Sequence, residues 1–254
     1  MVFVLDIGNT NIKCGLFKKD TLISSWRMTT DTLKTSDEFG ILVTNFFHHI
    51  DCRREDVEGI IISSVIPSIN YTMEHMCQIY FDITPMFVSP GIKTGINIKY
   101  DNAKELGADR IVNAVAVYEQ YGGPAIIVDF GTATTFGAIN EKGDFLGGAI
   151  CPGLKISAEA LTLNAAKLPR VELKRPESII GRSTVTGIQA GLIFGFIGQV
   201  EFIVRRMKKE VSPNAKVVAT GGMSYLIDEE IRHFDEIDRL LTLKGLNIIY
   251  QKNV

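Results

Sequence analysis

The sequence predicts an α/β protein of two similarly built halves, each with a central mixed sheet, and three observations carry this. Apolar strand-like runs alternate with helical stretches along most of the chain. A strand-turn-strand pattern holding an acid and a glycine occurs twice, around Asp6 and again around Asp129. No low-complexity tract or long polar linker separates the copies, and 46% of the 254 residues are hydrophobic, so both halves are expected to bury a core and to pack around a cleft. Ligands favour such clefts between domains.

Residues 2–6 form a short apolar run, Gly8-Asn9-Thr10 supplies turn chemistry, and 12–17 and 21–26 have strand composition, which predicts an N-terminal antiparallel hairpin sheet. Thr35 or Ser36 before Asp37 and Glu38 marks a helix start, with Phe39, Leu42, Val43, Phe46 and Phe47 on one face. A strand follows at 59–64, Pro67 opens a helix to about Tyr80, and 86–89 is extended. A third helical stretch over 103–121 is closed by Gly122-Gly123-Pro124, and the pattern restarts with an apolar strand at 125–129.

Val4-Leu5-Asp6-Ile7-Gly8-Asn9-Thr10 aligns with Ile127-Val128-Asp129-Phe130-Gly131-Thr132-Ala133, and a second strand follows each, at 12–17 and 134–139. The shared context predicts a duplicated architecture with a boundary near Gly122, hence an N-terminal domain 1–121 and a C-terminal domain 122–254. The second half continues with a strand at 145–151, the turn Pro152-Gly153, helices from Leu154 and over 184–206, and a strand at 216–220. Gly221 and Gly222 then lead into a further helix.

Composition narrows the function classes. With 27 basic and 29 acidic side chains the net charge is −2, which offers no positive field for nucleic acid or an anionic membrane. The four cysteines lack C-x-x-C spacing, and His48 and His49 have no cysteine partner at zinc-finger spacing, so reduced thiols, a cytoplasmic home and no structural zinc are expected. The N-terminus lacks the basic start and apolar length of a secretory signal. The stretch 187–204 approaches the length of a membrane span, but it holds Gln189, Gln199 and Glu201. Gly187, Gly191 and Gly195 recur at four-residue spacing, which predicts a buried or interface helix and a dimer contact.

Two loops carry the chemistry. Asp6, Ile7, Gly8, Asn9, Thr10, Asn11, Ile12 and Lys13 put an acid at the end of a buried strand, then a tight glycine turn, then a lysine. Backbone amides of such a turn cradle phosphate oxygens, and the acid can hold a hydrated magnesium ion. Asp129 through Thr135 repeats the acid and the glycine turn with three threonine hydroxyls. Phosphoryl transfer asks a protein for positioning and charge stabilisation, which two phosphate loops supply. Neither G-x-x-x-x-G-K-[ST] nor G-x-G-x-x-G follows the first strand, which excludes P-loop and dinucleotide folds.

Paired D-x-G hairpins with a late Gly-Gly resemble the actin and hexokinase superfold, of two tandem actin-like (ribonuclease H-like) domains. Within it, D-I-G-N-T-N-I-K, Tyr100-Asp101, G-A-D-R at 107–110, D-F-G-T-A-T-T, G-G-A-I-x-P-G at 147–153, S-T-V-T-G at 183–187 and T-G-G at 220–222 resemble type III pantothenate kinases over nearly the whole chain. The resemblance implies ATP-dependent phosphorylation of pantothenate to 4'-phosphopantothenate, the first step of coenzyme A biosynthesis. Magnesium would come with ATP, potassium or ammonium would activate, and a homodimer would form.

The resemblance also assigns residues. Asp6 through Lys13 bind ATP phosphates, and Thr132 also contacts the nucleotide. Tyr100, Gly107, Ala108, Asp109 and Arg110 bind pantothenate, with Asp109 as proton acceptor. Asp129 holds the monovalent cation, and Thr184 touches pantothenate from the dimer partner. Elementary chemistry agrees for two of them: a carboxylate substrate needs a cation such as Arg110, and an ordinary Asp suffices as base in a loose transition state. From the residues alone, Asp129 equally fits a magnesium-bound water, Thr184 or Ser183 equally fits a helix cap, and Tyr100 a half-buried aromatic. Two rivals stand beside this reading, another small-molecule kinase of the superfold and a nucleotide-binding regulator that releases no ADP.

Overall fold

The structure, a computed structural model, describes residues 1–224 and 234–254. Strands β1 (Val2–Ile7), β2 (Asn11–Lys18), β3 (Thr21–Thr29), β4 (Gly59–Ser64) and β5 (Met86–Phe87) form one sheet in the order β3-β2-β1-β4-β5. β1 is antiparallel to β2 and parallel to β4, and the chain reaches β4 through helix α1 (Ser36–His49), as a parallel step requires. Thr35 caps α1 in a reciprocal box with Glu38, whose carboxylate accepts from Thr35 N at 2.8 Å. Helix α2 (Pro67–Phe81) starts with proline at its first turn and stops at Asp82, which is left-handed at φ 56°.

All six residues of β1 are buried, as befits a central strand covered on both faces. On one face Phe3, Leu5 and Ile7 meet Leu16, Ile60 and Ile62 and the apolar sides of α1 and α2. The Phe3 ring lies edge-on to Phe47 at 5.4 Å and stacks with Trp26 and Phe81. Burying a ring of this kind stabilises by roughly 1.5–3 kcal/mol over leaving it exposed. The other face receives helix α6 (Leu241–Gln251): Leu243 fills the space where Gly15 has no side chain, and Tyr250 does so at Gly59.

The second sheet contains β6 (Asn97–Ile98), β7 (Ala125–Phe130), β8 (Ala133–Ile139), β9 (Asp144–Pro152), β10 (Lys216–Thr220) and β11 (Glu236–Ile237), in the order β11-β10-β7-β8-β9-β6. Read from β9 to β11 this repeats the first sheet strand for strand and with the same directions, with β6 added at one edge. The duplicated mixed-sheet architecture expected from the Asp6 and Asp129 motifs is therefore present. Its core joins Ile126, Val128, Phe130 and Phe136 to helices α4 (Leu154–Asn164) and α5 (Thr184–Glu210).

Two compact units result, one of residues 1–95, 101–116 and 241–254, the other of 96–100 and 117–240. The chain passes between them four times, after residues 95, 100, 116 and 240, where the sequence led to the expectation of one boundary near Gly122. Helix α3 (Ala108–Tyr121) gives its first part to one unit and its last to the other. The helix expected over 103–121 is shorter than the sequence suggested: Ala103–Glu105 is a 3-10 turn, and the α-helix begins only after Gly107. The helix expected after Gly222 lies outside the described residues.

By length and composition α5 could cross a membrane, and it is the one such helix among the described residues. It buries Leu192, Ile193, Phe196, Ile197, Val200 and Val204 in the second core, and buried Gln189 donates to the Glu172 carbonyl at 2.8 Å. At Gly187, Gly191, Gly195 and Gly198, all exposed, no atom lies within 4 Å of where a side chain would start. Exposed Phe202 (55%) extends that open stripe.

Candidate active site

In the first unit the loop from Gly8 to Thr10 joins β1 to β2 and is closed by Gly8 N donating to the Asn11 carbonyl at 3.1 Å. Asn9, Thr10 and Asn11 are exposed at its tip. Thr30, just past β3, clasps this loop at both ends. Its hydroxyl donates to the Gly8 carbonyl at 2.6 Å, and its amide donates to the Thr10 carbonyl at 3.1 Å. At the base of the loop Asp6 is 5% exposed and pairs with Lys13 Nζ at 3.2 Å. They meet because they are direct partners across β1 and β2 and so share a face of the sheet. On the other side Asp6 faces buried Ser63, whose hydroxyl has no hydrogen-bond partner among the described residues.

The clasp by Thr30 lies far from the loop in sequence, and no motif announces it. Thr30→Val keeps the shape and removes the donor to Gly8. On the reading of this loop as a phosphate-binding loop, the change is expected to raise the KM for ATP several-fold, with Thr30→Ser restoring it, in steady-state assays with ATP varied. An unchanged KM in the valine variant would show that the loop holds its form unaided.

In the second unit the equivalent loop is one residue shorter, because Asp129 pairs with Thr135 where Asp6 pairs with Lys13. Gly131 N donates to the Ala133 carbonyl at 3.1 Å, and Thr132 is exposed at the tip, its carbonyl accepting from Gly153 N at 3.1 Å. A side chain on Gly153 would collide with that carbonyl. At Gly221 (φ +99°) a side chain would strike the backbone of Phe130, so glycine lets the end of β10 pack on this loop. Half-buried Asp129 stands in register between Thr135 and Thr220. That donor row is all oxygen, which suits a hard cation such as potassium or a magnesium-bound water.

The segment 107–110 starts α3 in the first unit. Gly107 accepts from the amides of Arg110 and Ile111 at 3.1 and 3.3 Å, and Asp109 Oδ1 accepts from Arg110 N at 2.8 Å. Asp109 is half-buried and Arg110 is 9% exposed. Val65 links this segment to the first loop, since its amide donates to the Ile7 carbonyl at 3.1 Å and its side chain lies beside Gly107. The structure thus brings residues 6–13 and 107–110 together within one unit.

Tyr100, Asp129, Thr132 and Thr184 belong to the other unit. Tyr100 is half-buried beside Gly147. At the start of α5 the cap is Ser183, which accepts from Thr186 N at 3.2 Å, and Thr184 is the first helical residue, exposed. Capping therefore does not account for Thr184.

Solved structures place the architecture. A conserved putative Baf family transcriptional activator from Campylobacter jejuni superposes with a TM-score of 0.63 at 18% identity, over 99% of this chain and 98% of that one. A ROK hexokinase from Thermus thermophilus gives 0.55 at 14% identity, over 99% and 98%. The activator of 2-hydroxyisocaproyl-CoA dehydratase from Clostridium difficile, solved with ADPNP, gives 0.53 at 15%, over 100% and 97%. At these identities the likeness establishes the fold, that of the actin-like ATPases, with two mixed sheets and a D-x-G hairpin in each.

The sequence model of type III pantothenate kinases matches residues 2–206, and the chain belongs to that family. It is a pantothenate kinase, a phosphotransferase that makes 4'-phosphopantothenate from pantothenate and ATP, with magnesium accompanying ATP, at the entry to coenzyme A biosynthesis.

Proposed function

We propose the following division of labour for that reaction. Residues 6–13 bind the phosphates of ATP, and Thr132 contacts the nucleotide. Tyr100 and the segment 107–110 bind pantothenate, with Arg110 opposite its carboxylate. Asp109 accepts the proton of the primary alcohol as the alcohol oxygen bonds to the γ-phosphorus and the bond to the ADP oxygen breaks. In a loose transition state that proton leaves late, so a carboxylate of ordinary basicity serves. Asp129 with its neighbouring hydroxyls holds a potassium or ammonium ion, whose charge would offset that of the phosphates.

The observation that carries this reading is the loop at Gly8–Thr10 with the Asp6–Lys13 pair at its base, linked through Val65 to Gly107 at the start of the 107–110 segment. We further propose a cytoplasmic homodimer formed through the open glycine stripe of α5, with Thr184 reaching pantothenate in the partner copy.

The test is ADP release with ATP and magnesium, with and without pantothenate, in potassium and in sodium buffer. Release that needs pantothenate and is faster in potassium is expected, and Asp129→Asn should abolish the preference for potassium. Equal rates in both buffers would remove the cation from the mechanism. Sedimentation at micromolar concentration should give a dimer, and an active monomer would remove both the interface and the partner's role.

A further inference from the structure

Arg27 occupies a place that stability alone does not explain. It is exposed on β3 and is the direct partner of Lys13 on β2, so two cations stand side by side on one face of the sheet, with Cα atoms about 5 Å apart. Like charges directly opposite each other across strands are destabilising. Asp6, on the far side of Lys13, is already paired with Lys13, and the side chain of Arg27 has no ion pair or hydrogen bond among the described residues. The row Ser63–Asp6–Lys13–Arg27 therefore sets two cations against one carboxylate.

The second unit supplies an internal control. There the corresponding row is Thr220–Asp129–Thr135–Ile150, with a hydroxyl in place of Lys13 and an exposed apolar side chain in place of Arg27. The same sheet position does not require a cation, so the two cations belong to what the first hairpin does. β3 also runs straight from Arg27 into Thr30, whose bonds hold the loop, and this fixes the strand against the loop tip.

We infer that Arg27 is a further phosphate-binding residue for ATP, acting beside Lys13 on the nucleotide's phosphate chain. This rests on the reading of residues 6–13 as the phosphate loop. Lys13 is largely committed to Asp6, whereas Arg27 brings a full charge and a planar pair of donors that match phosphate oxygens two at a time. A charged residue on an edge strand can also serve simply to prevent strand-to-strand aggregation. Lysine would serve that purpose equally well, so the two roles separate by experiment.

Arg27→Gln, Arg27→Lys and Lys13→Gln are compared with the wild type in steady-state assays, varying ATP and pantothenate separately, and in calorimetric titrations with ADP and with adenosine. Arg27→Gln is expected to raise the KM for ATP and the Kd for ADP about tenfold, the scale of one lost charge-assisted hydrogen bond. The KM for pantothenate and the affinity for adenosine should stay within about twofold, and Arg27→Lys should recover only part of the loss. Full recovery by lysine with ADP affinity unchanged in the glutamine variant would leave only the edge role and overturn the inference. So would a rise confined to the KM for pantothenate. If Lys13→Gln weakens ADP and Arg27→Gln does not, Arg27 alone is withdrawn. If neither weakens it, the phosphate-loop reading falls as well.

Discussion

Asp109→Asn is expected to lower kcat about a hundredfold or more, within the usual range for losing a general base, while leaving the KM for ATP and the thermal midpoint close to wild type. The change is nearly isosteric. The amide oxygen of asparagine can still accept from Arg110 N, as Asp109 Oδ1 does at 2.8 Å, so the first turn of α3 keeps its hydrogen bond. What asparagine cannot do is take the proton of the alcohol. A parallel fall in kcat and kcat/KM marks an interaction made in the transition state, whereas a purely structural role would appear as a lower midpoint. A near wild-type rate would remove Asp109 from proton transfer and leave it as a residue that starts a helix. Arg110→Gln should separate from it by raising the KM for pantothenate first.

Local chemistry in the sequence reached much of the fold because the deciding residues lie close together. The Thr35 and Glu38 box, Pro67 at the start of α2, and the two D-x-G hairpins each act within a few residues, and the structure shows all of them. The duplicated order of the sheets follows from the hairpins, since the same local rules operate twice. The misread helix start at 103 has a local cause of a different kind. Ala103, Lys104 and Glu105 favour helix, but Gly107 does not, and its carbonyl is instead the acceptor from which α3 begins.

Other features depend on partners distant in the chain. Strands β6 and β11 are two residues long and exist only through pairing with β9 and β10. The apolar side of α6 needs a surface, and its sequence does not say which. Gly15 and Gly59 mark close approaches on the first sheet without naming Leu243 and Tyr250 as what approaches. At the site the same division holds. Asp6, Lys13, Asp109 and Asp129 stand within recognisable motifs, whereas Ser63 and Arg27 gain their positions through strand register and Thr30 through its bonds to the loop just past β3.

Asp6→Ala is expected to cost both stability and activity, and the two losses can be separated. Asp6 is 5% exposed, while the side chain of Lys13 is 25% exposed. Removing the carboxylate takes from a partly buried ammonium the ion pair it makes with Asp6, and breaking a fully buried pair costs about 3–5 kcal/mol; solvent access to Lys13 should reduce this to about 1–3 kcal/mol. A second substitution, Lys13→Met, removes the ammonium that lost its carboxylate and keeps an apolar side chain in its place. Replacing both members of a buried pair by apolar groups is often neutral, so the double variant should regain most of the lost thermal midpoint. Activity should not return with it. If Asp6 orients the hydrated magnesium and the phosphates of ATP, the single and double variants should both lose about a hundredfold or more in kcat/KM. Recovery of activity along with stability would mean that the pair only holds β1 against β2. Recovery of stability alone would assign the Asp6–Lys13 pair to the nucleotide, beyond its part in holding β1 against β2, and would explain why the first sheet keeps a charge in so apolar a strand.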